Sequence, residues 1–167
     1  MTRFGEVLSN VILKDKNDIY NRIYVVSAYS GVTNQLLEHK KTEQPGIYQT
    51  FAENHDFEPA MLELQEKLCQ INHSFSEIGL DIQAADQFII DRIAFAVNIL
   101  KSMDNVLSSG YVNRTEVLLA ARELLSSIGE MHSAYNSAII LEILGYSGTF
   151  VDLSGWQDIR ERTIDQR

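Results

Sequence analysis

The residue types best suited to chemistry lie between Ser27 and Thr33, a segment rich in hydroxyl groups and small side chains. It follows Ile23-Tyr24-Val25-Val26, an apolar run typical of a buried strand in a parallel sheet. Ligands of open α/β sheets bind beyond the carboxyl ends of such strands. The residues placed for this are Ser27, Ser30, Gly31 and Thr33. An ordinary strand-to-helix turn, with Thr33 as a hydroxyl cap, explains the same spacing equally well.

A second candidate is Glu130, within the stretch Ser126 to Ala134. This carboxylate follows Gly129 at a predicted break between two helices, where it could receive a substrate ammonium group. From the residues alone a structural explanation is favoured, because a glutamate in the first turn of a helix is stabilised by the helix dipole. Asp152, at the end of the last predicted strand, is the remaining acid of interest. The four histidines show no spacing suited to a metal site, and we expect His132 to pack at a surface or in a core.

The elements that must position these residues begin and end with strand character. The sequence predicts a helix near residues 2–12, the strand at residues 23–26 and a helix at 34–39 capped by Thr33. Helices follow at 48–53, 59–76, 81–103 and 115–144, the last one broken near residues 126–129 and ended by Gly145. Residues 146–153 return to strand character. This order predicts one α/β domain, although two strands are few for a parallel sheet.

Composition limits the class of protein. The chain has 167 residues, 45% hydrophobic content and a formal net charge of -9, which repels nucleic acids and anionic membranes. Lys40-Lys41 is too small a basic patch to change that. The single cysteine, Cys69, excludes an internal disulfide and fits a reducing compartment. Because no stretch approaches the roughly 18 apolar residues of a membrane span, the sequence predicts a cytoplasmic protein.

Two segments together resemble the aspartate kinase family of the amino acid kinase superfamily. Val25 to Asn34 matches the family pattern V-V-S-A-x-S/A-G-x-T-N, and Ser127 to Ser133 matches S-x-G-E-x-x-S. Gly145 with Val151-Asp152 is similar to the family's following strand, which ends in Asp. The resemblance spans residues 2–156, although residues 45–113 carry no diagnostic motif. The length of this region and the stretch at residues 36–42 resemble the branch of the family associated with ectoine synthesis.

The resemblance implies a three-layer α/β/α amino acid kinase-like (carbamate kinase-like) fold, here incomplete and helix-rich. Residues 1–167 would form a partial amino acid kinase domain, the substrate-binding lobe, without the nucleotide lobe and the ACT domains. The implied reaction is phosphorylation of the side-chain carboxylate of L-aspartate by ATP with Mg²⁺, giving 4-phospho-L-aspartate. By motif position, Ser27 would lie at the reacting groups as a catalytic residue and Glu130 would bind the α-ammonium group. Ser30, Gly31 and Thr33 would complete the substrate contacts.

The sequence also departs from the family pattern. It lacks the K-F/I-G-G-T-S segment, just after which it starts, and the later G-R-G-G-S-D segment. The charged end at residues 158–167 is consistent with truncation. We therefore expect the chain alone to be inactive and to hold no tightly bound cofactor, because no remaining residue replaces the missing positive charge. We also expect an exposed apolar face and a homo-oligomer. The alternative is a non-catalytic small-molecule-binding or subunit-interaction module derived from the same lobe.

Overall fold

The computed structural model of the protein describes residues 2–14, 21–38 and 44–153. Within these ranges the chain is mainly helical. The α-helices, in chain order, are α1 (Thr2–Val7), α2 (Val32–Leu36), α3 (Ile47–Ala52), α4 (Glu58–His73), α5 (Ile82–Ser108) and α6 (Arg114–Ile143). A π-helical turn, Leu8–Ile12, continues α1, and a 3-10 turn, Ser76–Ile78, lies between α4 and α5.

The three long helices form the framework of the molecule. Helix α5 packs against both α4 and α6, while the short helices α2 and α3 pack against α6. Apolar residues recur at helical spacing on the facing surfaces and are almost fully buried; they include Leu64, Leu68, Ile89, Ile93, Leu125 and Ile128. Each such side chain contributes roughly 1.5–3 kcal/mol relative to an exposed one. Hydrophobic burial therefore holds the helices that carry the candidate site.

The ends of the long helices follow their local sequence. Asp81 caps α5 by accepting a hydrogen bond from the Ala84 N–H at 3.1 Å, and Asn113 caps α6 through the Thr115 N–H at 3.0 Å. After α6, Gly145 has φ of 84°, the left-handed conformation that a glycine adopts past a helix end. The prediction that Gly145 ends this helix is confirmed.

Two local predictions are wrong. Helix α6 runs without a break through residues 126–129, so Glu130 lies in mid-helix and not in a first turn. The apolar contacts of Leu125 and Ile128 on one side of the helix outweigh the weak helix propensity of Ser and Gly. Thr33 is also not a cap, because α2 begins at Val32 after Gly31, whose φ is 80°, and no side chain caps it.

The two predicted strands differ from expectation in another way. Residues 22–29 and 146–152 are neither helical nor paired in a sheet, and the only β-type pairing among the described residues is an isolated bridge between Glu38 and Pro45. A strand needs a hydrogen-bonded neighbour, and a strand-like sequence does not by itself supply one. His39, Lys40-Lys41 and residues 154–167 lie outside the described residues. No helix in the described part is both long and apolar enough to cross a lipid bilayer.

Candidate substrate-binding loop and its support

The two motif segments, about 100 residues apart in sequence, touch each other in the structure. Ser133 on α6 donates a hydrogen bond from its hydroxyl to the Ser27 carbonyl oxygen at 2.8 Å, and to the Glu130 carbonyl at 2.9 Å. Gly129 lies against the same loop: a Cβ added there would be 2.7 Å from the Ala28 Cβ. Only a residue without a side chain permits this approach of helix and loop.

All five residues predicted for the site are exposed at this junction: Ser27, Ser30, Gly31, Thr33 and Glu130. The structure brings the backbones of Ser27 and Glu130 to one shared hydroxyl, that of Ser133, and so places them side by side. Thr33 is set apart from them, in the first turn of α2. The arrangement offers hydroxyl groups and one carboxylate to a small polar molecule approaching from solvent.

A cation that sequence reasoning missed lies beside the Gly31 turn. The Lys67 ammonium group, on α4, would be 3.5 Å from a Cβ added at Gly31, and it donates a hydrogen bond to the Gln35 side-chain carbonyl at 3.1 Å. No local pattern marks Lys67, because its contacts lie more than 30 residues away in sequence. It supplies positive charge close to the loop in a chain that is acidic overall.

Below the loop lies a cluster of buried polar side chains, which we call the amide–imidazole cluster: Asn72 on α4 with His132 and Asn136 on α6. All three are fully buried. The Asn72 side-chain carbonyl is 2.6 Å from His132 Nε2 and accepts a hydrogen bond from Asn136 Nδ2 at 2.8 Å. Tyr29 of the loop rests on this cluster, with its ring 5.2 Å from the His132 ring in an edge-on contact and its hydroxyl 3.4 Å from Asn136 Nδ2.

The cluster is held neutral. Burial lowers the pKa of His132 to about 4, against a smaller opposite effect of the Asp86 carboxylate. Since the Asn72 carbonyl can only accept, His132 Nε2 carries the proton and Nδ1 is left as an acceptor. Burial also raises the pKa of the Tyr29 hydroxyl, so this group stays protonated. The sequence signal for the cluster was the polar pair His132 and Asn136 at positions i and i+4 of an apolar helix, which placed both on one face.

Asp86 connects the cluster to the surface. Its carboxylate accepts a hydrogen bond from the Asn72 amide at 2.9 Å and lies 3.0 Å from His73 Nε2. Cys69, half-buried on α4, lies beside it, and burial with the Asp86 charge raises the pKa of this thiol to about 11. The lone cysteine is therefore a thiol at neutral pH. No group of three or more potential metal ligands occurs among the described residues.

Asp152, the other acid of interest, forms an ion pair with Arg92 on α5. The Arg92 guanidinium also lies 5.3 Å from the centre of the Phe88 ring, and Phe88 stacks on Tyr135 at 3.9 Å. Phe150 closes this group edge-on. Asp152 thus helps to fasten residues 146–153 to the helices, which is a structural role in the described chain.

A cleft of about 390 Å³ separates the two segments that were predicted to be strands. One wall is lined by Arg22, Ile23, Tyr24 and Val26, the other by residues 146–151, and the floor by the small α6 side chains Ala134, Ser137 and Ala138. The side chains of Ile23 and Val25 are 95% exposed. Such β-branched residues are typical of a paired, covered strand, and here they face solvent.

These features define the class of protein first: a helical scaffold with an exposed, hydroxyl-rich loop packed against a long helix that carries an exposed glutamate. Comparison with known proteins then gives a relative. Over 162 residues the chain is 40% identical to the aspartate kinase Ask_Ect of Stutzerimonas stutzeri (strain A1501). The alignment covers 94% of this chain but 34% of that protein, so the chain spans about a third of its relative's length. The resemblance to aspartate kinases carried by the two motifs is confirmed. No family model and no solved structure matches the chain.

Proposed function

We propose that this chain provides the aspartate-binding part of an aspartate kinase of the ectoine-associated branch. The observation that supports the proposal is the direct contact between the two motif segments, in which the Ser133 hydroxyl bonds to the backbone carbonyls of both Ser27 and Glu130 and Gly129 packs against Ala28. The 40% identity to Ask_Ect supports the branch as well as the family.

In this proposal each exposed group of the loop has one role. The Glu130 carboxylate binds the α-ammonium group of L-aspartate, because a charge-assisted hydrogen bond is the strongest contact that such a group can make. Ser27 contacts the side-chain carboxylate that accepts the phosphoryl group, and Ser30, Gly31 and Thr33 complete the contacts. Phosphoryl transfer depends on positioning and charge neutralisation, which hydroxyls and one carboxylate can assist without covalent chemistry.

The proposal assigns ATP and Mg²⁺ to the full-length enzyme. The phosphate-binding segments of the family pattern are not present in this sequence, so we propose that the chain alone binds aspartate without turning it over.

We also propose that residues 22–26 and 146–152 become strands of a three-layer α/β/α domain when further strands pair with them. The exposure of Ile23 and Val25 supports this part of the proposal. A cytoplasmic location also belongs to the proposal.

Calorimetric titration tests the binding assignment. We expect L-aspartate to bind the chain and Glu130→Ala to weaken that binding by about tenfold to a hundredfold, the value of one lost charge-assisted hydrogen bond. Succinate, which has no ammonium group, should bind equally to both forms. Glu123→Ala, which removes another exposed acid of α6, is the matched control. Equal aspartate binding by the wild-type and Glu130→Ala chains would contradict the role of Glu130.

A turnover assay completes the test. With L-aspartate and ATP in the presence of Mg²⁺, we expect no release of ADP above the background of the chain without aspartate. Turnover by the chain alone would show that its own residues suffice for phosphoryl transfer. Absence of aspartate binding in the titration would instead refute the proposed function and favour an interaction module.

A further inference from the structure

The amide–imidazole cluster is costly for the fold. Among the described residues, His132 Nδ1 and Asn136 Oδ1 are buried and have no hydrogen-bond partner. A buried acceptor without a donor destabilises the fold, and apolar residues of similar shape would pack there without that cost. Sites that break such a packing rule are typically functional.

The cluster also has a specific position. It joins α4 to α6 through Asn72, and it contacts the Ser27 to Thr33 segment through Tyr29. On the same loop, the Ser133 hydroxyl bonds to the Ser27 carbonyl oxygen, and Gly129 allows α6 to approach Ala28. The loop is therefore held at the Ser27 backbone by Ser133 and at the Tyr29 side chain by the cluster.

We infer that His132, Asn136 and Asn72 are positioning residues, which set the geometry of the Ser27 to Thr33 loop for aspartate by holding Tyr29. This inference rests on the proposed function. None of the three residues is exposed, so they act through the loop and not by contact with the ligand. One hydrogen bond from Asn136 and the ring contact with His132 orient Tyr29, whereas apolar packing alone would allow it to shift. Preorganisation of this kind lowers the entropic cost of binding.

The test compares two substitutions of one residue. His132→Gln keeps a donor where Nε2 lies, and His132→Leu removes the donor and the ring but also removes the orphaned Nδ1. At a temperature where every variant is folded, we expect His132→Leu to raise the aspartate Kd about tenfold, which equals about 1.4 kcal/mol. His132→Gln should stay within about threefold of wild type. His55→Leu, at an exposed histidine, is the matched control.

Thermal unfolding separates positioning from stability. His132→Leu removes an unsatisfied buried acceptor, which offsets part of the stability that the substitution costs. We therefore expect only a small fall in its Tm beside the tenfold rise in its aspartate Kd. A cluster that served stability alone would lower the Tm and leave the Kd of the folded variant unchanged, and that result would overturn the inference. If His132→Leu does not fold, Tyr29→Phe provides the second variant, with an expected twofold to threefold rise in Kd. An unchanged Kd in Tyr29→Phe would then overturn it.

Amide hydrogen exchange tests the positioning of the loop without the need for aspartate binding. In His132→Leu, or in Tyr29→Phe if the former does not fold, we expect faster exchange at residues 27–33 and unchanged exchange in α5. Faster loop exchange without aspartate binding by the wild type would refute the proposed function and leave the positioning of the loop in place. Unchanged loop exchange would refute the positioning, whatever the chain binds.

Discussion

At the scale of single residues, His132 shows how burial sets chemistry. A histidine in this motif could have been a surface group, but in the structure it is enclosed between Asn72, Asn136 and Tyr29. The enclosure makes the neutral ring the stable form, with consequences for the stability of the whole chain. The same logic holds at Cys69, where burial and the Asp86 charge keep the thiol protonated.

The stability of the chain should depend on the protonation of His132. The folded pKa, about 4, lies below the ordinary value of 6.5, so the unfolded state binds the proton first as pH falls. Stability is therefore complete above about pH 6.5 and is lost progressively down to about pH 4. Between pH 7 and pH 4.5 we expect wild type to lose about 2 kcal/mol more than His132→Gln in urea unfolding. Parallel pH profiles for the two chains would contradict the buried neutral state.

At the scale of elements, helix α6 is the central support. It carries Gly129, Glu130, His132, Ser133 and Asn136, all from one motif region, and presents successive faces to the loop, to α4 and to solvent. Arg122, further towards its N-terminus, holds Glu38 by two hydrogen bonds and lies over the Tyr48 ring, which fastens the connection between α2 and α3. An unbroken helix keeps these contacts in fixed register.

Substitution of Gly129 tests the contact between α6 and the loop. A Cβ at Gly129 would lie 2.7 Å from the Ala28 Cβ and 2.9 Å from Val32 Cγ1, so the loop or α2 must move. Overpacking costs about 1–3 kcal/mol, which exceeds the gain of up to about 1 kcal/mol in helix propensity. We expect Gly129→Ala to lower the free energy of unfolding and to weaken aspartate binding. Gly5→Ala, at a helical glycine with open space around it, should not destabilise the chain.

At the scale of the whole molecule, the two segments that were predicted to be strands expose apolar side chains on the helical framework. Ile23 and Val25 are 95% exposed, Val151 is 68% exposed, and the cleft between their segments is lined by small residues of α6. Apolar surface of this kind is typical of an interaction site. These three residues belong to the segments for which strand pairing is proposed.

We predict that this surface makes the chain self-associate. Sedimentation velocity at increasing concentration should show a rising average mass, because burial of the exposed apolar residues is favourable. Val25→Lys should reduce the association, since it places a charge in the contact. Leu62→Lys, at an exposed leucine of α4, is the control and should leave it unchanged. A strictly monomeric wild type at every concentration would contradict the prediction.

The sequence by itself determined the long helices and the resemblance to aspartate kinases. Apolar periodicity predicts α4 to α6 to within about five residues, because helix formation depends on contacts three or four positions apart. The two motifs likewise predicted the five candidate site residues. Only the tertiary structure decided how these residues meet: Ser133 bonds to Ser27 across 106 positions, and His132 to Asn72 across 60. Such contacts depend on how helices pack, and no local spacing in the sequence encodes them.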